Sequence, residues 1–163
     1  MPEVPENPNY EQYGPSAVQY EGGDNAFSTD ANTGYTVYTA LATSWDSRRG
    51  KLLDSYTAGQ YVAIEVYSDY ALMHTHMYFY GATLKGVYDK ETKQIVDASA
   101  MQKGKWYILV WEINADIANV GGYSGTFMFL DLNQDGTLAG KTVLINNAYV
   151  FDDKTAFDSW VTA

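Results

Sequence analysis

Two histidines and two tyrosines occupy alternate positions in the segment from residue 72 to residue 80. The four residues are His74, His76, Tyr78 and Tyr80. Successive side chains of a β-strand point to opposite faces, so these four share one face and Met77 belongs to the other. Their rings present an apolar body with a polar tip, which suits both stacking and hydrogen bonding. The alternation therefore predicts a ligand-binding face with Met77 on its core side.

A second alternating segment, residues 61–68, extends this predicted surface. Three aliphatic side chains share one of its faces, and the opposite face carries Tyr61, Glu65 and Tyr67. Period-2 alternation is the pattern of a half-buried strand. We expect this strand to lie beside the strand at 72–80, so that both contribute to one open sheet.

Residues 105–113 form a third candidate strand, which is apolar on both faces. One set of alternating positions holds Trp106, Ile108 and Val110, which we assign to the core. By the same alternation, Tyr107 and Trp111 point outward and join the predicted surface. One face of this strand must therefore be either covered by other residues or used for binding.

A sheet face lined with tyrosine, histidine and tryptophan suits a sugar chain. A pyranose ring has apolar C–H groups on its faces and hydroxyls around its rim, and stacking of a flat ring on an aromatic side chain contributes ~1–3 kcal/mol. Two structural interpretations remain open. Cross-strand aromatic pairs stabilise sheets without any ligand, and a long loop can cover such a face and make it a second core.

The only cluster of cationic residues in the chain lies at residues 45–51, which we predict to be a loop. Trp45 and Arg48 are candidate contacts to a sugar or uronate at the end of a sandwich, because a guanidinium group binds paired hydroxyls or a carboxylate. The alternative is a solvated loop in which an arginine pairs with Asp46.

Asp131, Asn133 and Asp135 match the start of an EF-hand-type calcium loop, D-x-N-x-D-G. The twelfth position is Thr142, where such a loop has a bidentate glutamate. A plain hairpin loop with Asp135 in its turn is the alternative. The sequence therefore requires no cofactor and leaves open one structural calcium ion.

Catalysis is a further alternative, since Glu65 and Glu112 are carboxylates in the middle of predicted strands. A retaining glycosidase needs two carboxyl groups about 5 Å apart. By alternation Glu112 shares the face of Ile108, which we assign to the core. The pattern thus favours a protein that binds sugar without cleaving it over a small jelly-roll glycoside hydrolase.

Composition excludes several classes of protein. The chain has 163 residues, a formal net charge of −10 and no cysteine, and 15 of its residues are tyrosine. The acidic charge argues against nucleic-acid partners, and the lack of cysteine excludes disulfides and thiolate metal sites. No run of eighteen apolar residues occurs, so we expect no membrane insertion.

Many short candidate strands separated by glycine- and asparagine-rich turns predict an all-β fold, a single β-sandwich or jelly roll of antiparallel strands. Helical turns are expected only within 97–102 and 156–161. Three of the four prolines fall in the first eight residues, which predicts a linker or tail over residues 1–15. The sandwich is then expected over residues 16–155, followed by a C-terminal tail at 156–163.

Three segments resemble the strands of carbohydrate-binding modules of the β-sandwich type, namely residues 61–68, 104–111 and 144–151. The resemblance spans about residues 17–152. It implies a non-catalytic, extracellular or surface-bound module that holds a larger protein near a polysaccharide, with neighbouring domains in the same protein. It also implies a structural calcium, although Asn146-Asn147 stands where these modules have Asp-Asn. A structural or adhesion module remains the alternative.

Overall fold

The computed structural model describes residues 10–13, 19–20, 28–29, 36–39, 46–68, 77–121, 124–131 and 142–163. Up to residue 50, and at 128–131 and 142–143, it describes the backbone. The strands are β1 (Tyr10–Tyr13), β2 (Gln19–Tyr20), β3 (Ser28–Thr29), β4 (Thr36–Thr39), β5 (Asp46–Lys51), β6 (Tyr61–Ser68), β7 (Met77–Phe79), β8 (Ala82–Asp89), β9 (Ile95–Val96), β10 (Trp106–Ile113), β11 (Phe127–Asp131) and β12 (Thr142–Phe151). A 3-10 turn covers Ala98–Ala100, and helix α1 covers Lys154–Val161.

The described strands form two antiparallel sheets. The larger sheet has the order β3-β4-β12-β6-β10-β8-β9, and β1 pairs with the second half of β12. The second sheet has the order β2-β5-β11-β7. Central strands β6 and β10 are mostly apolar on both faces, with Glu65 and Glu112 as the charged exceptions, and this is the composition expected where both faces of a strand are buried.

The main core lies between the two sheets, as in a β-sandwich. From the larger sheet it receives Val62, Ile64 and Val66 of β6 and Leu109 of β10, and from the second sheet Met77, Phe79 and Phe127. Burial of these side chains is the main stabilising contribution, at ~1.5–3 kcal/mol for each large one. The predicted all-β sandwich is confirmed.

Helix α1 covers part of the other face of the larger sheet and forms a second core there. Its buried side chains are Ala156, Phe157 and Trp160, and they pack on Tyr149 and Phe151 of β12 as well as on β6 and β10. Asp153 caps the helix by accepting a hydrogen bond from the amide of Ala156 at 2.8 Å. The chain turns directly from β12 into this helix. The part of the larger sheet under the helix is therefore buried on both faces.

Two predicted boundaries are wrong. Residues 10–13, assigned to a linker over 1–15, form β1 and pair with β12; residues 1–9 lie outside the described residues. The predicted tail at 156–163 contains most of α1, whose aromatic side chains are buried against the sheet. Both segments therefore belong to the folded unit. In the described part of the chain, no helix has the length and apolarity needed to cross a membrane.

Candidate functional site

The predicted binding face is divided between the two sheets. Tyr78 lies on β7 of the second sheet, whereas Tyr67 lies on β6 of the larger sheet. Met77 and Val66, their neighbours in sequence, both point into the core between the sheets. Tyr78 and Tyr67 therefore point away from that core in opposite directions, and the prediction of one continuous face is wrong.

On the second sheet, Tyr78 and Tyr80 form an exposed aromatic surface, which we call the Tyr78 surface. Their side chains are 41% and 40% exposed, while Met77 and Phe79 are buried. Besides Ile95, they are the exposed large apolar side chains of the described residues. The predicted alternation is confirmed for residues 77–80.

Backbone hydrogen bonds to neighbouring segments hold both tyrosines in place. Tyr78 lies opposite Met128 of β11, and the Tyr80 amide donates to the Thr126 carbonyl at 3.1 Å. At Gly81 the chain leaves the second sheet and enters β8 of the larger sheet. Gly81 has a φ of +84°, and a Cβ there would lie 2.9 Å from Ile117, so this corner requires glycine.

Tyr107 and Trp111 were predicted to point outward, and this is wrong. Both are almost fully buried in the core between the sheets, where the Trp111 ring lies 5.4 Å from Phe127. The Tyr107 hydroxyl accepts a hydrogen bond from the Gln102 amide at 2.8 Å. Alternation could not identify the core face of β10, because α1 and the second sheet bury one face each. These two rings are unavailable to a ligand.

Tyr61 and Glu65 lie on the predicted face of β6 but are not accessible. The Tyr61 ring stacks on Phe157 of α1 with centroids 5.4 Å apart. Glu65 is only 3% exposed. The interpretation in which this face is covered is thus correct for the part under α1, although a helix rather than a loop covers it.

Beyond α1, the same face of the larger sheet carries a second aromatic group. Tyr67 at the end of β6 lies directly opposite Trp106 at the start of β10, and their ring centroids are 5.5 Å apart with a tilt of 45°. Both side chains are half-buried. Trp106 had been assigned to the core, so sequence analysis missed its position beside Tyr67.

Lys90 and Glu65 form a buried ion pair next to these rings. The Lys90 ammonium lies 2.8 Å from the Glu65 carboxylate and 4.7 Å from the centroid of the Trp106 ring. Glu65 also accepts hydrogen bonds from the Asn146 amide at 3.1 Å and the Tyr149 hydroxyl at 3.2 Å. We call Tyr67, Trp106, Lys90 and Glu65 the Trp106 cluster.

The turn after β8 places Lys90 in this cluster. The Asp89 carboxylate accepts hydrogen bonds from the amides of Glu91 and Thr92 and pairs with Lys105. The hydrogen bond with Lys105 lowers the pKa of Asp89. The Lys90 amide donates to the Trp106 carbonyl at 3.2 Å, which ties the turn to the start of β10. Nothing in the sequence spacing marks Lys90, because its partner Glu65 is twenty-five residues away.

Several predicted site residues lie outside the described residues, namely His74, His76, Trp45, Asn133 and Asp135. Arg48 is described by its backbone and lies within β5, opposite Phe129, so the predicted loop is wrong. Asp131 ends β11. β11 and β12 belong to different sheets, so these two strands do not pair with each other as a hairpin. Calcium binding at Asp131 stays a prediction.

The two candidate catalytic carboxylates lie far apart. Both are on the α1 side of the larger sheet, but Glu65 is opposite Ile108, and Glu112 is four residues farther along β10. At 3.3 Å per residue this separation is about 13 Å. Glu112 shares a face with Ile108 and Val110 as predicted, but its assignment to the core was wrong, because its side chain is 35% exposed and pairs with Lys85 at 3.5 Å. Glycosidases need carboxyl groups within ~5–9.5 Å.

Comparisons with known proteins give distant similarities. No protein-family model matches the chain, and no curated protein matches it significantly. A low-affinity xylan-binding module, CBM86, from the gut symbiont Roseburia intestinalis shares 13% identity at a TM-score of 0.44, over 90% of this chain and 98% of its own. A variant of a family 29 carbohydrate-binding module, complexed with cellulohexaose, shares 11% identity at a TM-score of 0.47. The match covers 93% of this chain and 97% of that module. Another variant of that module shares 11% identity at a TM-score of 0.43, over 88% and 92%.

Proposed function

We propose that this protein binds polysaccharide without cleaving it, and that the Tyr78 surface is its primary contact with the sugar chain. The carrying observation is the exposure of Tyr78 on β7 and of Tyr80 directly after it, at 41% and 40%, while Met77 and Phe79 are buried. Exposed rings held by a rigid sheet need little ordering when they bind, which preserves the free energy of stacking.

The geometry of the two tyrosines suits a chain of sugars. Residues two apart on a strand are separated by ~6.6 Å, so one extended polymer can contact both rings. Each phenol hydroxyl also supplies a donor and an acceptor for sugar hydroxyls. Weak stacking contacts at successive rings favour a long polymer over a single monosaccharide.

The arrangement of carboxylates supports a non-catalytic role. Glu65 is buried and paired with Lys90, and Glu112 is too distant to act with it as an acid–base or nucleophile pair. Tyr78 and Tyr80 lie on the opposite side of the sandwich from both carboxylates. A sugar chain on the Tyr78 surface would therefore not reach them.

We further propose that the protein acts outside the cell or at its surface, as one part of a larger protein that it holds near polysaccharide. A second binding contact on the same molecule would gain from the high effective concentration that such tethering provides. The alternative, a structural or adhesion module, differs in that the Tyr78 surface would contact a neighbouring protein domain.

Affinity electrophoresis of the isolated chain tests this function. Gels containing xylan, β-glucan, mannan or pectin should slow the protein in at least one case, and incubation with the same glycans should release no reducing ends. Absence of retardation on every glycan would favour the structural alternative. Release of reducing ends would instead establish an enzyme.

A further inference from the structure

The Trp106 cluster lies on the side of the sandwich opposite the Tyr78 surface. It combines two half-buried aromatic rings with a cation that is held in place by a buried carboxylate. Purely structural aromatic pairs need no such cation.

Glu65 is well satisfied by its neighbours. Its carboxylate receives hydrogen bonds or ion pairing from Lys90, Asn146 and Tyr149, and only 3% of the residue is exposed. Burying a carboxylate is costly unless donors surround it. Glu65 therefore positions Lys90 and does not itself touch a ligand, which differs from the sequence-based prediction.

Lys90, in contrast, keeps unused hydrogen-bonding capacity. An ammonium group has three donors, and within the described residues Glu65 is its one hydrogen-bonding partner. The Lys90 side chain is 14% exposed, so most of it is removed from water while part of it remains at the surface. A donor that is prevented from moving and poorly hydrated binds an oxygen acceptor more strongly than a free lysine does.

The surroundings of the cluster tolerate an acceptor that carries negative charge. Five lysines and three acidic residues lie between residues 85 and 105 of a chain whose net charge is −10. Lys105 pairs with Asp89, while Lys93 lies 4.7 Å from the centroid of the Trp160 ring and has no carboxylate within 4 Å among the described residues. Lys93, whose charge interacts with that of Glu65, is therefore a cation near the cluster that forms no ion pair with a described carboxylate.

We propose that the Trp106 cluster is a second sugar-binding site, in which Tyr67 and Trp106 contact the apolar face of a sugar ring and Lys90 donates to one of its oxygens. The acceptor is a hydroxyl or a uronate carboxylate, which share the same contact. This inference rests on the proposed function, and it makes the protein a binder with sites on two opposite faces.

The test begins with a Tyr78→Ala/Tyr80→Ala protein, run by affinity electrophoresis on neutral xylan, β-glucan and polygalacturonate. We expect it to keep retardation on at least one glycan. Adding Tyr67→Ala should weaken that residual binding about 5- to 150-fold, the loss expected for one stacked ring. Preference for polygalacturonate would mean that Lys90 donates to a uronate carboxylate. Preference for a neutral glycan would mean that it donates to a hydroxyl.

A second variant guards against unfolding. Replacing both members of the ion pair, by Glu65→Gln/Lys90→Gln, removes both charges without leaving either one buried alone, and thermal unfolding is used to check that the variant is folded. It should weaken the residual binding about 10-fold or more. If both added changes leave the residual binding intact, the site lies elsewhere and the inference is wrong.

The two proposals fail in different ways. Loss of all retardation in Tyr78→Ala/Tyr80→Ala, with binding by the unaltered protein, would support the proposed function and overturn the second site. Absence of binding by the unaltered protein would overturn both.

Discussion

Among single residues, Glu65 and Lys90 form an ion pair that is almost completely removed from water, with side-chain exposures of 3% and 14%. The ion pair between Lys85 and Glu112 is much more exposed, with side-chain exposures of 42% and 35%. Buried and exposed pairs differ in what the loss of one partner does. A buried charge left alone costs several kcal/mol, whereas an exposed charge is simply hydrated.

We therefore expect Lys90→Met to lower the free energy of unfolding by about 3–5 kcal/mol, because it leaves the Glu65 carboxylate buried without a cation. Lys85→Met is the matched control and should change stability by at most about 1 kcal/mol. Urea denaturation measures both values. Equal effects of the two substitutions would contradict the burial of the Glu65–Lys90 pair.

Tyr56 gives a prediction in the alkaline range. Its ring lies 5.6 Å from Phe79 in the main core, and burial raises the pKa of its hydroxyl from 10.0 to about 12. A raised folded pKa means that stability is fully present below pH 10 and is lost as the pH rises toward 12. This group should account for a loss on the order of 2 kcal/mol over that range.

The Tyr56→Phe protein isolates this contribution. Other tyrosines, including Tyr61 and Tyr88, also have raised pKa values because of burial, so stability should still decline. The decline between pH 10 and pH 12 should be less steep than in the unaltered protein. Parallel curves of unfolding free energy against pH would show that the Tyr56 hydroxyl is not buried as described.

Among the elements, helix α1 changes the character of the larger sheet. Without it, the sheet would present Tyr61, Tyr149 and Phe151 to solvent as an aromatic face. With it, these aromatic side chains are buried, whereas Tyr67 and Trp106, beyond the helix, stay half-buried. The helix therefore restricts where a ligand can bind on this side of the sandwich.

Trp160→Ala should destabilise the protein by about 3–5 kcal/mol, because it empties a buried aromatic position under α1. Trp160→Phe should cost less, since the lost indole N–H is buried and has no acceptor among the described residues. Ser159→Ala, on the exposed side of the helix, should stay within about 0.5 kcal/mol. Thermal and urea unfolding would measure the stability of all three variants. A negligible effect of Trp160→Ala would show that residues 156–163 are a tail, as predicted, and do not pack on the sheet.

Much of the strand pattern was predictable, because polar and apolar residues alternate wherever only one face is buried. The bounds of β6 match the prediction, and the exposure of Tyr78 follows from its alternation with Met77. Prediction failed at β10, where both faces are apolar. It also failed at β5, whose sequence Asp46–Lys51 is polar although the strand pairs with neighbours on both sides.

The candidate site was less predictable than the strands. Which strands lie in the same sheet depends on pairings between residues far apart in sequence, and alternation carries no information about them. Tyr78 and Tyr67 were therefore placed on one face although they belong to different sheets. Lys90 was missed for the same reason. It lies in a turn, and its position depends on an ion pair with Glu65, which is distant in sequence.

At the scale of the whole molecule, two aromatic surfaces point in opposite directions from a shared core. A change at one surface should leave the other intact, because the core between the sheets separates them. This independence allows the Tyr78 surface to be tested in a Tyr67→Ala protein, in which the second proposed site is weakened.

The most direct test of the central claim compares Tyr78→Ala with Met77→Ala in that protein. Tyr78→Ala should weaken glycan binding by about 1–3 kcal/mol and change stability little, because the side chain is 41% exposed. Met77→Ala, one residue away and buried, should lose about 2–5 kcal/mol of stability and keep its affinity in the folded molecules. If Tyr78→Ala leaves glycan affinity unchanged, the Tyr78 surface is not the sugar-binding site and the proposed function is contradicted.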